Sequence, residues 1–257
     1  MNHPISRRAC IAAAGLSVPM VIAAAPVNTS EAFPMQPSEM VKEMVTVSHG
    51  NIKRVRELVE AHPSLAKASW DWGFGDWEAA VDAASHVGNR EIAEYLIEKG
   101  ARPTLFTAAM LGHLDLVRAA VTLHPGIQRN PGPHGISLLA HAKNGGAKAK
   151  EVFEYLRSLG DAGSLPVTLV TDEELNALKG TYIFGPGPTG KIEIGGEKGL
   201  LSFTRTGTTT RSLVHIGENT FHPAGADAVR IVFRKTPQVT TLTVYDPDPI
   251  LTGKRAG

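Results

Sequence analysis

At 257 residues, 42% hydrophobic and 20% charged with no long polar tract, the chain has the length and composition of one large folded domain or two smaller ones. Its 26 Lys+Arg balance 25 Asp+Glu, with 14 basic and 15 acidic residues in 33–165 and 10 and 9 in 166–257. Neither part carries the concentrated positive field that nucleic-acid binding draws on, so nucleic acid is not an expected partner.

Residues 1–32 read as a leader outside the fold. Paired Arg7 and Arg8 precede an apolar run from Ala9 to Ala25, which Gly15 and Pro19 interrupt. A run of that length is at the lower limit for crossing a bilayer. Ser-Arg-Arg before a modestly apolar stretch resembles the twin-arginine export signal, although Cys10 stands where that pattern usually has a large apolar residue. The resemblance implies a periplasmic or secreted protein, cleaved after Ala25 or Ala32, with no stable membrane span once the signal is removed. Cys10 is the single cysteine. The exported chain would therefore lack disulfides, cysteine catalysis and thiolate metal ligands.

Four segments in 39–163 then align on glycines at 50, 88, 112 and 145. After each glycine, apolar residues return at helical spacing: Val55, Leu58 and Val59; Ile92, Ala93, Leu96 and Ile97; Leu116, Val117, Ala120 and Val121. In the fourth copy the stripe (Val152, Phe153, Leu156) arrives late, behind "GAKAK". A shorter, small-residue helix precedes each glycine, clearest in "PTLFTAAMLGH". The unit is a helix, a glycine turn and a second helix, and single pairs cannot bury their apolar faces, so pairs must stack. In "RPTLFTAAMLGHLDLVRAAV", Leu105, Ala108, Ala109, Gly112 and His113 resemble the ankyrin repeat, with the usual Thr-Pro reversed as Pro103-Thr104. The glycine intervals of 38, 24 and 33 residues depart from that family's regular period. The 24-residue interval leaves only "KGARP" between helices, too short for a projecting finger, and the extra length goes into two loops, "SLAKASWDWGFGDWEAA" and "GIQRNPGPHGIS".

The first loop gathers Trp70, Trp72, Phe74 and Trp77. Tryptophan dominates binding hot spots, and more often covers the apolar end of a helix pair. Trp72 and Phe74 are expected to be the exposed members, with Trp70 and Trp77 at the loop's base. A partner would meet these loop tips and the neighbouring first helices, near Asp82 and Arg129.

Seven histidines lie in the helical part: 49, 62, 86, 113, 124, 134 and 141. Their placement weighs against a metal site. No two are four apart on one helix, no His-Glu-x-x-His occurs, and His62 and His124 end second helices, where the dipole suits them. No metal ligand, cofactor or catalytic residue is assigned. "SLAK" matches Ser-x-x-Lys but lacks the partner motifs of penicillin-binding enzymes. The two prolines of "GPGPTGK" make it a poor phosphate cradle and a good hairpin.

From residue 166 the pattern changes. Thr171 to Glu174 forms a capping-box signature for a short helix. Eight brief runs follow between glycine turns: "GTYIF", "KIEIG", "LLSFTRT", "TTRSLVHI", "NTFHP", "AVRIVFRK", "VTTLTVYD" and "ILTGKR". They predict an antiparallel meander closing into a small barrel or curved sheet over 166–257. "DEELNALKGTYIF" before the meander resembles the small lipocalin-like β domain appended to bacterial serine hydrolases of the β-lactamase type.

The expected fold is therefore α+β in two parts, an ankyrin-like stack of helix pairs followed by a small antiparallel β domain. The expected function is an exported, non-enzymatic protein-interaction module with an unidentified periplasmic protein partner. The alternative is a small-ligand-binding or hydrolytic accessory protein using the barrel residues Tyr182, His215, His222 and Tyr245.

Overall fold

The computed structural model describes residues 35–163, 168–208, 210–238, 240–246 and 248–257. Residues 1–34, on which the expected export signal with Arg7 and Arg8 falls, lie outside the described residues. Gln36–Gly257 forms one compact unit that contains both the helices and the barrel.

The helical part runs as four pairs: α1 (Ser38–Val47) with α2 (Ile52–Ala61), α3 (Ala80–His86) with α4 (Arg90–Glu98), α5 (Leu105–Leu111) with α6 (Leu114–Leu123), and α7 (Leu138–Asn144) with α8 (Lys150–Leu159). The first two second helices start on side-chain caps: Asn51 accepts from the Arg54 amide and Asn89 from the Ile92 amide. Successive first helices pack on one another, α1 on α3, α3 on α5 and α5 on α7. Buried Ala80, Ala83, Ala84, Ala108 and Ala109 keep those contacts close. The turn glycines serve the same closeness. A Cβ on Gly88 would stand 2.3 Å from the Asn144 carbonyl oxygen, and one on Gly112 would stand 2.2 Å from that of Lys148.

The predicted stripes are buried in α2 and α4, at Val55, Leu58, Val59, Ile92, Ala93 and Leu96. In α6 the stripe does not hold: Val117 is buried but Leu116 is 51% exposed. In the outer row α6 packs on α8, with Val117 as its buried position. The first long loop is itself structured. A 3-10 turn at Pro63–Lys67 leads into a two-stranded finger, β1 (Ser69–Asp71) and β2 (Trp77–Ala79), with Trp70 opposite Glu78. The second contains 3-10 turns at Ile127–Arg129 and Pro133–Gly135.

The C-terminal part opens with α9 (Asp172–Leu178), capped by the predicted box: Thr171 Oγ1 accepts from the Glu174 amide and the Glu174 carboxylate from the Thr171 amide. All eight β-rich runs become strands: β3 (Gly180–Ile183), β4 (Lys191–Glu197), β5 (Leu200–Arg205), β6 (Arg211–Gly217), β7 (Thr220–Pro223), β8 (Arg230–Lys235), β9 (Thr240–Tyr245) and β10 (Pro249–Arg255). They form an antiparallel meander, and β10 pairs back onto β3 to close the barrel. Closure removes both sheet edges. Alternate residues point inward, so Ile231 and Phe233 are buried along β8. Tyr182, Phe233 and Phe221 meet edge to face in the interior, at centroid distances of 5.7 and 5.6 Å. The barrel is compatible with the lipocalin-like architecture.

Candidate metal centre

Four side chains from four separate elements converge beside the finger. Glu78 comes from β2, where strand alternation turns Trp77 outward and Glu78 fully inward. His86 is the last residue of α3, His49 lies in the turn between α1 and α2, and His134 sits in the 3-10 turn Pro133–Gly135. One ligand atom from each lies within 4.8 Å of every other. Nε2 of His86 is 2.9 Å from His49 Nε2 and 2.9 Å from Glu78 Oε1. His49 Nε2 is 3.7 Å from the same oxygen, and His134 Nε2 is 3.4 Å from Glu78 Oε2. Ligands held at bonds of about 2.0–2.1 Å with angles of about 90–109° stand about 2.9–3.4 Å apart. The closest pairs, at 2.9 and 3.4 Å, fall in that window, and the wider ones, up to 4.8 Å, would have to close around an ion.

The orientation of the rings agrees with that reading. His49 Nδ1 lies 3.0 Å from the Thr46 carbonyl oxygen, which can only accept, so Nδ1 carries the proton and Nε2 presents a lone pair. His134 Nδ1 is 2.8 Å from Asp76 Oδ2, a carboxylate–histidine pair of the kind that aligns a metal-bound imidazole. Asp76 Oδ1 also accepts the His134 backbone N–H at 2.9 Å. That pair of bonds holds His134 at φ +59°, a left-handed conformation unusual for a side-chain-bearing residue. Glu78 Oε2 accepts from Trp72 Nε1 at 2.8 Å. Its Oε1 is buried without a hydrogen bond, because the short contact to His86 lacks hydrogen-bond geometry.

Charge follows the same geometry. Burial alone would raise the Glu78 carboxyl, but the imidazoles of His134 and His86 overcome it and hold the group down at about 2. Burial likewise works to lower His134, yet Asp76 and Glu78 hold it up at about 9. An anionic oxygen facing three ring nitrogens is a suitable donor set for a dication, which would displace the His134 Nε2 proton on binding. Three imidazoles and one carboxylate, with no thiolate, suit zinc and its neighbours among the divalent transition metals. The His49 and His134 side chains are each 32% exposed while Glu78 is fully buried, so solvent reaches the cluster from the histidine side.

The residues expected to bind a partner lie mostly elsewhere. Trp72 and Phe74, expected to be exposed, are half-buried: Trp72 packs on the helical core and holds Glu78, and Phe74 joins the barrel core edge-on to Phe203 at 6.4 Å. Trp77, expected at the base, is 62% exposed, because the two-stranded finger places it on the outward side. Trp70 is half-buried against the helical core beneath Lys42. Asp82 is buried and accepts from Thr104 and Thr107; burial raises its pKa. Arg129 is exposed and pairs with Asp161 at 3.3 Å. Three of the four barrel residues have separate neighbours. The Tyr182 hydroxyl donates to the Leu178 carbonyl, His215 stacks on Phe221, and His222 Nδ1 meets the Pro223 carbonyl.

Histidine spacing along single helices carries no ligand pair, because this cluster assembles between helices. Glu78 carries no signal in the sequence, and Asp76 stands out there only as an acidic residue of the aromatic loop. One signal was present: "SHG" and "SHVG" place a Ser-His pair before the turn glycine of the first two repeats. Ser48 and Ser85 are both buried and bond back to Met44 and Val81, so the histidines after them leave the stack at matching points. No protein-family model matches this sequence, and no curated protein matches it.

Proposed function

We propose that the protein binds a divalent transition-metal ion of the zinc class through His49, Glu78, His86 and His134. The carrying observation is the approach of those four ligand atoms within 4.8 Å of one another. The matching outer hydrogen bonds from Asp76, Trp72 and the Thr46 carbonyl support it. The scaffold is read as ankyrin-type, on the strength of the tandem helix pairs and the "LFTAAMLGH" stretch. Export by the twin-arginine route rests on Arg7, Arg8 and the apolar run behind them. The test is equilibrium dialysis of the purified full chain carrying Cys10→Ser, so that no thiolate competes. One zinc per chain, lost in a folded His49→Ala/His86→Ala variant, supports the reading; equal zinc in both proteins refutes it.

A second reading, interaction with another exported protein, is favoured by one observation: Trp77 projects from the finger at 62% exposure. An exposed tryptophan is a common hot spot. Trp77→Ser would abolish capture of such a partner while leaving zinc binding unchanged; unchanged capture would remove this reading.

A further inference from the structure

We propose that ion binding at the centre and docking of the barrel on the helical stack are coupled, with Asp76 as the positioning residue that links them. The inference rests on the metal-binding reading above and adds a regulatory consequence to it. Asp76 occupies the finger at its turn into β2, and it is 2% exposed. Oδ2 of its carboxylate lies 2.8 Å from His134 Nδ1 and 2.8 Å from Nη2 of Arg211, the first residue of β6. One oxygen thus serves a metal-ligating ring of the helical part and a buried guanidinium of the barrel. Arg211 is itself buried, so the pair is poorly screened by solvent.

Two further contacts make Asp76 sensitive to the position of the barrel. A Cβ on Gly225, in the turn after β7, would stand 2.6 Å from Asp76 Oδ1. The turn that holds His134 also touches this part of the barrel: a Cβ on Gly135 would stand 3.1 Å from the Gly225 amide nitrogen. Phe74, two residues before Asp76, packs into the barrel core. The finger tip and the His134 turn are therefore seated against the same rim of the barrel. Moving the barrel away moves the carboxylate that orients His134. By linkage, an ion that fixes His134 stabilises the docked barrel by the factor with which docking tightens the ion.

The experiment uses the full chain with Cys10→Ser and zinc as the probe. Zinc affinity is measured for this protein, for Arg211→Gln, and for Gly225→Ala, which presses on Asp76 without removing any charge. Amide hydrogen exchange is followed at residues 224–227, which contain no proposed ligand. The coupling predicts affinity about 5- to 100-fold weaker in each folded variant, and slower exchange at 224–227 when zinc is added to the parent. If Arg211→Gln fails to fold, Gly225→Ala and the exchange measurement decide the matter alone. A parent that binds zinc, with unchanged affinity in the folded variants or unchanged exchange at 224–227, overturns the coupling and leaves the metal reading standing. A parent that binds no zinc overturns both.

Discussion

The Nε2 atoms of His49 and His86 lie 2.9 Å apart, while the Nδ1 proton of His49 is committed to the Thr46 carbonyl. Two imidazole nitrogens at that distance cannot both carry protons, and Glu78 Oε1 stands within reach of each. The arrangement concentrates unshared electron pairs on one small volume. Glu78→Gln keeps the shape of the side chain and removes its charge. It should weaken zinc binding beyond the 10- to 100-fold that loss of an outer hydrogen-bond partner costs. Isothermal titration of the parent and the variant checks this, and equal affinities would remove Glu78 from the ligand set.

Asp76→Asn tests the outer shell separately. The amide can still accept from His134, but it no longer balances Arg211, which is buried with it. Removing one partner of a buried ion pair costs about 3–5 kcal/mol, and the loosened His134 should bind zinc about 10- to 100-fold more weakly. Urea unfolding of the metal-free variant reads the first effect, and titration of the folded variant reads the second. A variant as stable as the parent would show that the Asp76–Arg211 pair contributes nothing net.

The metal-free protein should lose stability on both sides of neutrality, for different histidines. His141 is fully buried, and burial lowers its pKa to about 4 from 6.5. The unfolded chain therefore binds a proton that the folded chain refuses between those values, and stability falls as pH drops from 6.5 towards 4, by about 3 kcal/mol. His134 behaves oppositely: its pKa is raised to about 9, so its contribution is complete below 6.5 and is lost as pH rises through 9. Replacing His141→Leu should flatten the acid limb alone. An acid limb of unchanged steepness in that variant would contradict the assignment.

Two glycines separate conformational strain from collision. Gly146 has φ +63° with open space where a Cβ would stand, whereas Gly112 has φ +83° and faces the Lys148 carbonyl at 2.2 Å. Gly146→Ala should cost about 1–2 kcal/mol from the left-handed backbone. Gly112→Ala should cost about 1–3 kcal/mol more, because the next repeat must move. Thermal unfolding of the two variants compares them; equal losses would mean that the repeats are not closely stacked there.

Much of the scaffold was legible because local chemistry and tertiary need coincide. The stripe from Ile92 to Leu96 is both helical in spacing and buried, and eight β-rich runs became eight strands. The finger was less legible. Trp70 to Trp77 reads as a loop, and the strand pairing that turns Glu78 inward and Trp77 outward depends on a register fixed by Ser69 opposite Ala79. The centre was hidden for a different reason. His49, Glu78, His86 and His134 lie up to 85 positions apart in the chain, and only stacking of the repeats brings them together. Spacing along one helix carries no trace of such a site. Asp76 was harder still, since its partners are a turn 58 residues away and a barrel strand 135 residues away.

X-ray absorption at the zinc edge of the loaded full chain, with Cys10→Ser, examines the centre most directly. The expected spectrum shows about three imidazole nitrogens and one carboxylate oxygen at about 2.0–2.2 Å, with the outer-ring scattering of histidine and with loss of the imidazole signal in His49→Ala/His86→Ala. A shell of water oxygens without imidazole scattering, or a signal unchanged in that double variant, would contradict it.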